Sequence, residues 1–264
     1  MSSIDALFER TRAEGRAALV GYLPAGFPDV ETSVAALTAM VEGGCDLVEI
    51  GLPYSDPVMD GPTIQEAAET ALANGFRTSQ AFDVVRRVTE AGAPAVVMTY
   101  WNPVERYGVD RFAADLAEAG GAGLITPDLI PDEAEEWEKA SREHGLDRTY
   151  LVAPSSTDRR LLMTADAASG FIYATAVMGV TGARQETSSL APELVARLRE
   201  VTDKPVGVGL GVSNGGQAHE IAQYADAVIV GSAFVRRLLD APDAASGVES
   251  VRELARELRE GVVR

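Results

Sequence analysis

One pattern runs the length of the chain: a short Val/Ile/Leu-rich run, then an amphipathic helical stretch, eight times over. The apolar runs fall at 16–24, 46–51, 94–100, 122–127, 148–153, 170–175, 205–210 and 226–231. Between and after them, helices are predicted over 31–43, 63–73, 78–91, 109–119, 131–144, 158–168, 191–202, 214–223, 232–239 and 247–260, with an extra helix over 3–13 ahead of the first strand. Strands that alternate with helices pair in parallel, because each crossover carries the chain back to the same end of the sheet. Eight such units in 264 residues, with no break of composition between them, predict a single-domain (β/α)8 barrel spanning 1–264. A doubly wound sheet is the alternative. It commonly has fewer strands and a GxGxxG turn after the first, where this chain reads "GYLPAGFPD".

A barrel of this kind keeps its chemistry at the C-terminal ends of the strands. Polar residues late in a strand are therefore functional candidates, and polar residues at strand starts are structural ones. The second strand, "DLVEIG", fits the first description. Side chains alternate along a strand, so Leu47, Glu49 and Gly51 share one face and Val48 and Ile50 the other. Val48 and Ile50 suit the helix-packed face, which points Glu49 into the barrel mouth. Burial among apolar neighbours raises a carboxyl pKa, and an upshifted carboxyl can shuttle a proton near neutral pH. The bland reading is a Glu paired to a buried Lys or Arg, but none occurs late in any predicted strand. After Glu49 the chain turns through Pro53, Ser55, Asp56 and Pro57 to Asp60, Gly61 and Pro62. Such a stiff loop can carry Asp60 back over the mouth. Asp56 reads equally well as a turn or cap residue.

The last strands carry a second signal. Strand eight ends at Gly231-Ser232 just where a helix begins, and the free N–H groups of a helix start bind phosphate. Strand seven runs into Gly209 and Gly211, which allow close approach of backbone to a ligand. The loop after strand six carries Gly179, Thr181 and Gly182. Any one of these glycines serves an ordinary turn; together they suggest a phosphate cradle. Tyr22, Tyr100 and Tyr173, late in strands one, three and six, suit the walls of a slot for a flat ligand.

Composition narrows the classes further. Apolar residues make up 46%, ample for a core, and there is no apolar run of about 18 residues, so no membrane span is expected. The amphipathic start, "MSSIDALFERTRAEGR", lacks the order of a signal peptide. Cys45 is the only cysteine, which excludes an intrachain disulfide and fits a reducing, cytoplasmic setting. A net charge of −17 argues against nucleic acid as a partner. Only His144 and His219 are present, both on predicted outer helices, which disfavours histidine catalysis or a metal site. The residues alone therefore describe a phosphate-binding barrel working through carboxylates, by proton transfer or carbon–carbon cleavage, with no metal.

The segment "EIGLPYSDPVMDGPTIQ", 49–65, resembles the tryptophan synthase alpha subunit family throughout. The resemblance continues in "GYLPAGFPD", "YWNPVERYG", "GVTG", "GLGVS" and "VGSAFV", in order and over essentially the whole chain. It implies a lyase that cleaves indole-3-glycerol phosphate to indole and glyceraldehyde 3-phosphate by a retro-aldol reaction, without metal or cofactor. It implies Glu49 as acid/base and Asp60 as partner of the indole N–H. Tyr22 and Met98 resemble indole-pocket walls, and Tyr173 an aromatic neighbour that orients Glu49 and substrate. Thr181 resembles a loop residue that helps fix Asp60, and Gly182, Gly211, Gly231 and Ser232 a phosphate site. The implied partner is the beta subunit, in an alpha2-beta2 tetramer, docked on the face where Pro53, Pro57, Val58 and Met59 lie. The chain departs from the pattern at Val177 and Met178, where many members carry a Ser/Arg pair. A sugar-phosphate isomerase or epimerase shares the expected fold, and a non-catalytic subunit shares the docking face. The 49–65 segment speaks against the first, and Glu49 and Asp60 against the second.

Overall fold

The computed structural model describes residues 1–175, 190–209 and 211–264. Eight parallel strands close into a barrel in sequence order: β1 Ala18–Pro24, β2 Leu47–Gly51, β3 Ala95–Met98, β4 Gly123–Thr126, β5 Asp147–Val152, β6 Ile172–Thr175, β7 Val206–Gly209 and β8 Ala227–Val230, with β8 pairing back onto β1. The outer layer is formed by α2 Val30–Gly43, α3 Pro62–Ala73, α4 Thr78–Thr89, α5 Trp101–Tyr107, α6 Val109–Glu118, α7 Glu135–His144, α8 Asp158–Ala167, α9 Leu190–Arg199, α10 Gly215–Ala222, α11 Ser232–Leu239 and α12 Ala244–Gly261. The expected barrel is therefore the fold.

Alternation divides the core in two. Val48 and Ile50 pack outward with helix residues such as Leu37 and Met40. Leu47, Val20, Val96, Ile125 and Ile229 pack inward on one another. The N-terminal helix α1, Ser3–Ala13, closes the bottom: its Ile4, Leu7 and Phe8 join the inward cluster, and Phe8 meets Phe171 at 5.9 Å. At the same end Arg16 clasps Asp46 through two hydrogen bonds of 2.6 and 2.7 Å, and Asp46 also accepts the Leu19 N–H at 2.9 Å. The bottom is thus plugged and cross-tied.

The element boundaries differ from expectation in three informative places. A short helix, α5, follows β3 at once; Pro103 sits in its first turn, where a missing N–H costs nothing, and the prolyl signal reads as a loop in sequence. Strand β3 accordingly ends at Met98, and Tyr100 is the residue that starts α5 rather than a strand residue. Strand β6 begins at Ile172, not Gly170, because Gly170 has φ +77°, outside the extended region. The expected helix over 131–144 divides into a turn of 3₁₀ helix, Pro131–Glu133, and α7.

Candidate active site

Glu49 is the third residue of β2, in register with Tyr22 on β1 and Val96 on β3. It is 1% exposed, and its Oε1 has no hydrogen-bond partner among the described residues. Desolvation alone pushes its carboxyl up from 4.5 to about 8. An unpaired carboxylate is costly in such surroundings, so the group holds its proton at neutral pH. The reading of Glu49 as an ion-paired core residue finds no cation to support it among the described residues.

Asp60 lies at the end of the loop after β2, half-buried. Burial raises its carboxyl, opposed by a hydrogen bond from the Tyr100 hydroxyl to Oδ1 at 3.1 Å. The loop is held at its far end by Gln65, whose amide donates to the Asp60 carbonyl at 2.7 Å. Pro53 is buried at the loop's root, whereas Val58 and Met59 at its tip are 76% and 44% exposed. Of the four apolar residues expected at an outward surface, Pro53 belongs instead to the barrel.

The aromatic residues converge on these carboxylates. The Tyr22 phenol is driven up by burial, then by the charges of Asp60 and Glu49. The Tyr173 phenol is driven up by burial and by Glu49. Both rings lie over glycine backbone: a Cβ at Gly51 would stand 2.4 Å from the Tyr22 hydroxyl, and one at Gly209 2.5 Å from the Tyr173 hydroxyl. Gly209, expected to admit a ligand, therefore makes room for Tyr173. Met98 ends β3 on the inward face and is half-buried. Leu151, in register with Tyr173, completes this layer on β5. Sequence reasoning passed over Leu151, because a search for polar and aromatic residues at strand ends ignores an aliphatic one. Inward alternation along β5 was the signal that could have found it.

On the far side of β1 from β2, β8 ends and α11 starts at Gly231, which has no side-chain cap. The start of α10, by contrast, is already capped by Asn214, which accepts the Gln217 N–H at 3.0 Å. In α11 the first intrahelical donors are Phe234 and Val235, both to the Gly231 carbonyl, so the N–H groups of Ser232 and Ala233 precede the helix's own ladder and no side chain caps them. Gly231 also touches the Tyr22 ring, at 3.3 Å from its ideal Cβ position. Gly211, just after β7, has φ +62°, in the left-handed region, and among the described residues nothing lies within 4 Å of its Cβ position. Val177, Met178, Gly179, Thr181 and Gly182 lie outside the described residues.

Among the described residues no group of His, Cys, Asp and Glu is arranged to hold a metal, and no helix is long and apolar enough to cross a membrane. His219 is exposed on α10, and His144 ends α7, bonded to Asp110 at 3.1 Å. The arrangement is a mouth with one protonated carboxyl, one hydrogen-bonded carboxyl, an aromatic and aliphatic lining and an uncapped helix start.

The family model "Tryptophan synthase alpha chain" matches residues 8–263. The tryptophan synthase alpha chain of Salinispora tropica is 62% identical over 262 residues, covering 99% of this chain and 98% of that protein. That of Mycobacterium marinum is 61% identical, covering 99% and 95%. Among solved structures, one of Mycobacterium tuberculosis tryptophan synthase superposes with a TM-score of 0.94 at 58% identity, covering 100% of this chain and 99% of its own.

Proposed function

The chain belongs to the tryptophan synthase alpha chain family, and from that premise we propose which of its residues carry the chemistry. Its activity is the carbon–carbon lyase half-reaction that cleaves indole-3-glycerol phosphate to indole and glyceraldehyde 3-phosphate. The observation that carries the assignment is Glu49: buried, inward-facing, paired with no cation among the described residues and protonated at neutral pH.

In this reading Glu49 begins as the acid. Its proton goes to the indole ring carbon that bears the glycerol chain, leaving a cation delocalised onto the ring nitrogen. Asp60 binds the N–H and offsets that charge as it develops, the kind of stabilisation most effective in a water-poor site. The Glu49 carboxylate then takes the proton of the chain hydroxyl adjacent to the ring. The carbon–carbon bond breaks, its electron pair returns to the ring, and indole and aldehyde separate with Glu49 protonated again. A carboxyl at about 8 suits both directions of transfer, since an acid/base matched to ambient pH loses little either way. Tyr22, Met98 and Tyr173, with Leu151, wall the indole slot. Gly211, Gly231 and Ser232, with Gly182 and Thr181 on the loop after β6, surround the phosphate and its approach, and the start of α11 supplies free N–H groups.

The partner in this reading is the beta subunit of tryptophan synthase, in an alpha2-beta2 assembly in the cytoplasm. Val58 and Met59 support it: two large apolar side chains at the tip of a loop on the catalytic face. Indole released there passes to the second subunit without crossing bulk water. The direct test is to incubate the purified chain with indole-3-glycerol phosphate, with and without the beta subunit, and measure indole and aldehyde. Equimolar products, formed faster in the complex, are expected. No cleavage under either condition contradicts the reading.

A further inference from the structure

One hydroxyl grips the Asp60 loop at two points. Tyr100 Oη accepts the Met59 N–H at 3.0 Å and donates to Asp60 Oδ1 at 3.1 Å. The Tyr100 ring is buried and lies 5.2 Å from the ring of Tyr54, on the same loop. Tyr100 is fixed in turn from its other side. The N–H of the next residue, Trp101, meets both carboxylate oxygens of Asp128, in the loop after β4, at 2.9 and 3.1 Å. The Thr99 hydroxyl donates to the Tyr100 carbonyl at 3.0 Å. The loops after β4, β3 and β2 are thereby joined in series across the catalytic face.

We propose that Tyr100 is the positioning residue of Asp60: its hydroxyl fixes the carboxylate's direction and holds it ionised, and its ring is a strut rather than a wall of the indole slot. The inference rests on the role proposed above for Asp60. A carboxylate on an irregular loop with an exposed tip has no ladder of backbone bonds to orient it. A single hydroxyl bonded to both backbone and side chain of adjacent residues removes that freedom. The same bond favours the charged form, which burial disfavours. The titratable groups facing Asp60 among the described residues are phenols, Tyr100 and Tyr22, and no cation is paired with it. Gln65 bonds its backbone carbonyl, not its carboxylate. Tyr100 is thus the donor to that carboxylate among the described residues.

Tyr100→Phe removes one oxygen and keeps the ring. With indole-3-glycerol phosphate as substrate, kcat should fall about 10- to 100-fold, the range of a hydrogen bond to a charged group, with KM little changed. The acidic limb of the kcat–pH profile should move to higher pH, because the ionised form of Asp60 has lost its donor. A carbon-13 titration of the Asp60 carboxyl in the folded variant should show the same upward shift. Asp60→Asn, measured alongside, separates two failures. An impaired Asp60→Asn with a Tyr100→Phe of wild-type kcat and unmoved acidic limb overturns the positioning role alone. A fully active Asp60→Asn overturns both that role and the role of Asp60 itself.

Discussion

Glu49 is a case where stability and chemistry pull on the same proton. Folding moves the carboxyl from water into a buried site where its Oε1 has no hydrogen-bond partner among the described residues, and its affinity for the proton rises. Because the folded value, about 8, lies above the ordinary 4.5, the stability it contributes is full below the lower value and is lost as pH rises through the upper one. Glu49→Gln has no proton to lose. Thermal melts between about pH 6 and about pH 9 should therefore show the wild type losing stability that the variant keeps; parallel curves would argue that Glu49 ionises freely in the fold. Glu49 was legible in sequence, since strand alternation alone places it inward between outward Val48 and Ile50. The Tyr100–Asp60 bond was not, because its two ends lie 40 residues apart and meet only once the barrel has closed.

At the level of elements, the site depends on how strands hand over to helices. α11 starts at Gly231 without a side-chain cap, whereas α10 carries its own cap in Asn214. That contrast separates the uncapped helix, proposed above as the phosphate site, from its capped neighbour. Gly231→Val should raise the KM for indole-3-glycerol phosphate well above the wild-type value while the melting temperature changes little. Its backbone has φ −117°, which a side chain tolerates, and the nearest atom in the way is Tyr22 Cδ1 at 3.3 Å. Gly211→Ala behaves differently: φ +62° makes the substitution cost about 1–2 kcal/mol of strain whatever the ligand does. A Gly231→Val enzyme with wild-type KM removes α11 from the phosphate site. The repeated strand–helix pattern made the barrel readable, and the Gly231–Ser232 step marked where α11 begins. What escaped was local. The proline in α5 masked a helix, and Leu151 lacked any chemical label to mark it as part of the inward layer.

Across the whole molecule the two ends of the barrel divide the work. The bottom is closed by α1 and by the Arg16–Asp46 clasp; the top carries the carboxylates, the tyrosines and the open start of α11. Arg16→Met leaves Asp46 buried without its main partner and should destabilise the fold by roughly 3–5 kcal/mol in chemical denaturation, while kcat of the folded fraction stays at the wild-type level. A large loss of kcat there, with the fold intact, would tie the two ends more closely than the packing implies. The account as a whole turns on one carboxyl at the top, and the most direct measurement is made on Glu49→Gln with its natural substrate. Equilibrium binding of indole-3-glycerol phosphate and the rate of indole release are determined on the same preparation. The expected result is binding close to wild type with indole formation lowered by at least about 10²–10⁴-fold, since one group serves as both acid and base. Indole release near the wild-type rate would contradict the account.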